Sequence, residues 1–354
     1  MTKTKQTTFY DFPETKEIAN YFDKQKQMHI KTDVHKYKSV KEKLQHLELG
    51  PKPYFLPVLA GSTPYWKHPS ILVAWSRIPL VRQKLPYDYN KTLIIVESGG
   101  YLEEKPSTEE ECLSKQMRIY PDLCFTLDFP VKVIARQKEK LEVRRSLYTL
   151  PESEKRKRVE MTIQNAKLAM EIKEKVQEIW NHVFEPMAVL HGYDKASLIH
   201  CTEELYSMGY EFFAMGTVPT DVGARHIPHI VSELELVRDI VGNKCFIHLL
   251  GITEVKVLKR VSLSSNQTTL FGDDDEVSLL KQAKNLIDSF DSATLTHMAV
   301  YAKLFTPDGK TIDTKTNPNY KHLYPTNRFE YQRLQELNFQ NFIKYLKKEL
   351  WKVA

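Results

Sequence analysis

Short apolar runs recur along the chain, nearly all closing on a glycine or a polar residue and most followed by a stretch of helical spacing. The runs are 52–61, 70–75, 91–96, 122–128, 186–192, 211–216 and 245–251. Their length and composition predict buried strands. Apolar residues three and four apart predict helices over 14–26, 38–48, 106–118, Leu198–Met208, 226–241, 252–260, 276–287 and Arg328–Lys352. The charged region 132–182 holds a further helix that starts near Pro151-Glu152-Ser153-Glu154 and places Val159, Ile163, Ala166 and Met170 on one face. Strand followed by helix, repeated six or seven times, predicts a parallel α/β fold.

Such a sheet either stays open and doubly wound or closes into a (β/α)8 TIM barrel. An open sheet that binds a dinucleotide carries G-x-G-x-x-G after its first strand, and the chain has no such turn. It also lacks G-x-x-x-x-G-K-[ST], H-E-x-x-H and G-x-S-x-G, which argues against a P-loop and the commonest hydrolase signatures. In a barrel the strand C-termini meet at one mouth, where chemistry is placed. That mouth would carry Gly61, Glu97, Asp128, His191, Gly216, Gly251 and Asp291. The expected organisation is an N-terminal extension (1–50), a catalytic barrel (51–310) and C-terminal helices packed on it (311–354).

The stretch Leu286–Thr294 holds two carboxylates, Asp288 and Asp291, around Phe290. As a strand it would turn Asp288, Phe290 and Ser292 to one face and Ser289 and Asp291 to the other, giving the two carboxylates different tasks. As a helix start, its Asp and Ser residues would serve as caps.

Composition narrows the class without choosing a reaction. With 42% hydrophobic and 27% charged residues the chain reads as globular. No apolar run is long enough to span a bilayer, so no membrane partner is expected, and the polar N-terminus lacks the apolar core of a signal peptide. Four scattered cysteines (Cys112, Cys124, Cys201, Cys245), with no C-x-x-C pair, fit free thiols in a cytoplasm. A net charge of +6 is compatible with a polyanionic partner. The run Lys155–Arg158 reads equally as a phosphate contact or a solvated helix face. Tyr65, Trp66 and Trp75 suit either base stacking or a core.

Taken in order, Phe55-Leu-Pro-Val58, Val96-Glu-Ser-Gly-Gly-Tyr101, Asp122-Leu-Cys-Phe-Thr-Leu-Asp128, Val189-Leu-His-Gly192, Phe213-Ala-Met-Gly216, His248-Leu-Leu-Gly251 and Asp288-Ser-Phe-Asp-Ser292 resemble the strand ends of the tRNA-guanine transglycosylase superfamily. The likeness covers about residues 54–305, with a weaker echo at Leu337-Asn338. It implies exchange of guanine in a polynucleotide for a 7-deazaguanine base. Asp291 would be the nucleophile at C1′ and Glu97 the general acid/base. Asp128 would read the base edge. Ser98, Gly99 and Gly100 would shape the approach, His191 would contact the base or pack, Gly216, Leu250 and Gly251 would line the pocket, and Asp288 would support the nucleophile loop.

Three departures from the family pattern matter. Glu97 stands where the family has Asp. No C-x-C-x-x-C follows the nucleophile, the last cysteine being Cys245, so no zinc site and no cofactor are expected. Leu295-Thr296-His297 and Val300 replace the Pro-Thr-Arg and second Arg that serve RNA. The chain is therefore most similar to the 7-deazaguanine DNA transglycosylases of phages and bacterial genomic islands, a likeness that implies a (host) cytoplasmic enzyme on DNA. Its basic contacts would be Arg136, Lys138, Arg144, Arg145 and His297, and a homodimer is compatible with it. The alternatives are a tRNA enzyme and a barrel that binds nucleic acid without catalysis.

Overall fold

The computed structural model describes residues 36–60, 64–80, 83–100, 108–131, 150–179, 183–216, 227–251, 258–259, 286–292 and 294–351. Helix α1 (Val40–His46) leads into strand β1 (Tyr54–Leu59), followed by β2 (Ser70–Val73), β3 (Leu93–Val96), α2 (Glu109–Gln116) and β4 (Leu123–Phe125). Then come α3 (Glu152–Ile179), β5 (Glu185–Leu190), α4 (Lys195–Ser207), β6 (Phe212–Met215), α5 (Ile227–Val241), β7 (Phe246–Leu249) and β8 (Ser289–Ser292). The eight strands pair in chain order and close into a parallel barrel, β8 returning onto β1 with Leu56 opposite Asp291. The barrel was expected from the strand–helix rhythm, and it is closed rather than doubly wound.

Period-two alternation explains the two apolar layers. Leu56, Leu72, Ile95, Met187, Val189 and Phe246 fill the barrel interior. Phe55, Ile71, Ile94, Val96, Phe213 and Phe290 form the layer that also contains Val159 and Ile163 of α3, Leu198 of α4 and Leu234 of α5. Ser289 and Asp291 have the opposite parity to Phe290 on β8, and so face the interior.

Helix α1 closes the N-terminal end of the barrel. Ser39 caps it, its Oγ accepting the Glu42 N–H at 3.0 Å. Val40, with Leu44 and Leu47, packs on the interior cluster. Lys43, 1% exposed, reaches both carboxylate oxygens of Asp122 at 2.7 Å, and Asp122 also accepts the Ile94 N–H at 2.8 Å. Burial raises the Asp122 pKa and lowers that of Lys43, each opposed by the attraction of the other.

After β8 come α6 (Thr294–Val300), a hairpin of β9 (Lys303–Phe305) and β10 (Thr311–Asp313), and α7 (Arg328–Glu349). The hairpin straddles position 310 and was not foreseen. Asn338 of α7 fixes it, accepting the Phe305 N–H at 2.7 Å and donating to the Lys303 carbonyl at 3.0 Å. Phe339 stacks on Trp66 at 4.8 Å, and Phe342 meets Phe55 edge-on at 5.1 Å, so α7 is docked on the barrel wall. Trp66 is therefore core rather than a stacking platform. The predicted helix 14–26 lies outside the described residues, as do 252–260 apart from 258–259, and 276–287 apart from Leu286 and Ile287, which are not helical. Among the described residues no helix is long and apolar enough to cross a membrane.

Candidate active site

Asp291 stands on β8 and faces the barrel interior, 4% exposed. Its Oδ1 accepts two hydrogen bonds, from the Gly251 N–H at 2.7 Å and from His248 Nε2 at 3.2 Å. The first comes from the turn that ends β7, where Gly251 takes φ +69°. That left-handed conformation suits a residue without Cβ. Among the described residues no hydrogen bond reaches Asp291 Oδ2. The N-cap reading of this stretch does not hold, because Asp291 is mid-strand.

Asp128 follows β4, 3% exposed, and both of its oxygens are held. Ser98 Oγ donates to Oδ1 at 2.7 Å, and His191 Nε2 donates to Oδ2 at 2.7 Å. The glycines nearby leave room for this pair. A Cβ on Gly100 would sit 2.4 Å from Asp128 Oδ1, and one on Gly216 would sit 2.7 Å from His191 Cε1. Gly99 lies against the Trp75 ring. The loop is braced from outside. Gln116 of α2 donates to the Glu97 carbonyl at 3.1 Å and to the Phe125 carbonyl at 2.9 Å. Glu109 of α2 accepts the Leu127 N–H at 2.6 Å, and Asn165 of α3 donates to the Leu127 carbonyl at 2.9 Å. Arg158 donates to the Pro130 carbonyl at 3.0 Å and pairs with Glu154, so this member of the basic run serves the loop.

Glu97 follows β3, and among the described residues its carboxylate accepts only a long bond, 3.4 Å, from the Trp75 N–H. Burial, then the negative charge of Asp291, and last that of Asp128 push its pKa up to about 8, against the small opposing effect of the Trp75 bond. Burial, more than the nearby carboxylates, thus favours the protonated form of Glu97 around neutral pH.

The sequence-derived set is thus largely assembled: Glu97, Ser98, Gly99, Gly100, Asp128, His191, Gly216, Gly251 and Asp291 belong to the C-terminal ends of the strands. Leu250 packs against the interior cluster. Asp288 stands apart from this set and supports the strand that carries Asp291. It precedes β8, about three residues or roughly 10 Å of strand below Asp291. Its Oδ2 accepts Arg238 Nη2 at 3.1 Å and the Ile247 N–H at 2.9 Å, and Oδ1 pairs with Lys52. Both oxygens are thereby committed to holding β7, β8 and the entry to β1 in register, not to a substrate. Arg136, Lys138, Arg144 and Arg145 lie outside the described residues, and His297 falls on α6 with its side chain outside them.

His248 is the residue that the sequence reading overlooked. It is fully buried, with Nδ1 2.8 Å from Ser289 Oγ and Nε2 on Asp291. The signal was its parity with Phe246 on β7, which turns it inward. Trp75 is 5% exposed with Lys115 over its ring at 4.0 Å, whereas Tyr65 is 40% exposed beneath Arg77. Among the described residues no group of three or more His, Cys, Asp or Glu could hold a metal ion, and the four cysteines are free and buried. These scattered thiols do not fit the zinc site of the superfamily. Comparison of the chain with protein-family models and with curated proteins finds no match.

Proposed function

We propose that this barrel is a base-exchange transglycosylase that replaces guanine in DNA by a 7-deazaguanine base through a glycosyl ester on Asp291. The observation that carries the reading is the gathering of three carboxyl groups, Asp291, Glu97 and Asp128, at one barrel mouth, of which Glu97 has its pKa pushed up to about 8 by burial and by the neighbouring Asp291. A pair of carboxyl groups, one as acid and one as nucleophile, is what glycosyl transfer of this kind uses. The target nucleotide leaves its stack to enter the mouth. An Asp291 oxygen bonds to C1′ as the C1′–N9 bond breaks, and the electron pair leaves with the base. Glu97 gives its proton to the departing guanine. The incoming base then returns a proton to the Glu97 carboxylate, its N9 bonds to C1′, and Asp291 leaves as a carboxylate. Asp128, held by Ser98 and His191, offers its remaining lone pairs to the donor edge of the purine. DNA is favoured over tRNA because α6 carries His297 and Val300 where the resembled superfamily places its two RNA-binding arginines. Leu295 is buried in the layer beneath the helices.

The test is an exchange assay with labelled guanine and with 7-cyano-7-deazaguanine, on duplex DNA and on tRNA. Label is expected in DNA. Incorporation into tRNA alone would overturn the choice of polymer, and no incorporation into either would overturn the enzyme.

The pH profile follows from Glu97. Its proton is present below about pH 8 and lost above it, so the rate of guanine release is expected to fall on the alkaline side of pH 8. Glu97→Gln should lower that rate roughly 10²- to 10⁴-fold and flatten the alkaline limb. The same variant should gain stability relative to the parent as pH rises from about 4.5 to 8. In that window the folded parent retains a proton that its unfolded chain has lost, so parent stability declines with pH. Thermal melts of the two proteins across pH 5–9 read this difference.

A further inference from the structure

His248 is held on both ring nitrogens, by Ser289 Oγ at 2.8 Å and by Asp291 Oδ1 at 3.2 Å, with the imidazole and Ser289 fully buried. The Phe125 ring lies 5.6 Å from the imidazole. β7 and β8 set the pair in register, with His248 directly opposite Ser289. A carboxylate oxygen only accepts, so His248 Nε2 must be the donor to Asp291. A neutral ring then leaves Nδ1 as an acceptor, which the Ser289 hydroxyl fills. The Gly251 N–H supplies the second donor to the same carboxylate oxygen.

We infer that His248 is a positioning residue for Asp291: a neutral imidazole, fixed as the Nε2–H form by Ser289, clamps Oδ1 together with the Gly251 N–H and directs Oδ2 to the substrate. The inference takes its electrophile from the transglycosylase reading. On that reading, Oδ2 makes the bond to C1′ and Oδ1 becomes the carbonyl oxygen of the glycosyl ester. When the ester is displaced, the electron pair of the C1′–Oδ2 bond returns to the carboxylate, and the charge spread onto Oδ1 meets two donors already in place. The clamp fixes the aim of the attack and eases the departure of Asp291, and it does not touch the incoming base.

The test uses full-length His248→Leu, His248→Gln and Ser289→Ala proteins beside the parent. His248→Leu is expected to lower kcat for base exchange roughly 10²-fold, the order lost when a reacting group is misplaced by about an ångström. KM for the 7-deazaguanine base should stay within about twofold, since uniform binding is untouched. His248→Gln puts an amide N–H near the position of Nε2 and should restore most of the rate, with Ser289→Ala falling between. A rise in KM at constant kcat, or a Gln variant no better than Leu, would overturn the inference. A second measurement does not depend on turnover: histidine ¹⁵N spectra of the parent should show His248 protonated at Nε2 and unprotonated at Nδ1, with a shift in Asp291→Asn. A ring protonated at Nδ1 would overturn the clamp whatever the activity. A parent that exchanges no base would instead overturn the transglycosylase reading, with the spectrum still deciding how Asp291 is held.

Discussion

Asp291→Asn should abolish base exchange, with a loss of at least about 10⁴-fold, while the barrel stays folded. The amide is the same size as the carboxylate, and its oxygen can still accept from the Gly251 N–H and from His248. On the proposed mechanism, what it lacks is the charge that attacks C1′ and the ability to leave again as an anion. The substitution also removes one of the two carboxylate charges that raise Glu97, so the Glu97 carboxyl should titrate at lower pH in the variant. Steady-state exchange, a thermal melt and the pH dependence of the Glu97 carboxyl resonance check the three parts. Exchange within tenfold of the parent would mean that another group performs the attack.

The second large effect lies at the other end of the barrel. Lys43→Ala should destabilise the protein by about 3–5 kcal/mol, because it removes the buried cation whose attraction offsets the burial of the Asp122 carboxylate. The two side chains come from positions 79 residues apart, and their contact holds α1 over the barrel floor. Asp122 also fixes β3 through the Ile94 N–H, so its loss spreads into the sheet. Replacing both partners by apolar residues of similar volume, Lys43→Met with Asp122→Leu, should recover much of the loss, since the desolvation of two charges then disappears. The Ile94 N–H left without an acceptor limits that recovery to part of the whole, by about 1–3 kcal/mol. Chemical denaturation of the parent, the single variant and the double variant measures this. A single variant as stable as the parent would show that the pair contributes little.

The alternation of strand residues and the polar strand ends made the barrel, and the residues at its strand ends, legible in the sequence. Leu286–Thr294 already separated Asp291 and Ser289 from Phe290, because the period-two pleat depends only on local order. How Asp288 supports its strand was hidden for a non-local reason. Its partners Arg238, Lys52 and the Ile247 N–H are brought to it by the sheet register, and no local pattern announces them. His248 was hidden in the same way. It faces inward by parity, but its task appears only when β7 pairs with β8. The β9–β10 hairpin did have a local signal, Asp308-Gly309 with Gly309 at φ +82°. Its three-residue strands are too short to show alternation, and they fall between stretches with helical spacing. The partners of Lys43 and Asn338 likewise depend on which elements the closed barrel brings side by side.

The most direct test of the central claim is the covalent intermediate itself. Full-length protein is incubated with a guanine-containing duplex oligonucleotide in the absence of incoming base, denatured, and examined by intact mass and peptide mapping. The expected species has the mass of the protein plus the oligonucleotide less guanine, attached to the peptide bearing Asp291, discharged by 7-cyano-7-deazaguanine and absent from Asp291→Asn. Adduct on Asp128 or Glu97, or its persistence in Asp291→Asn, would contradict the assignment, and no adduct with DNA or tRNA would contradict the mechanism.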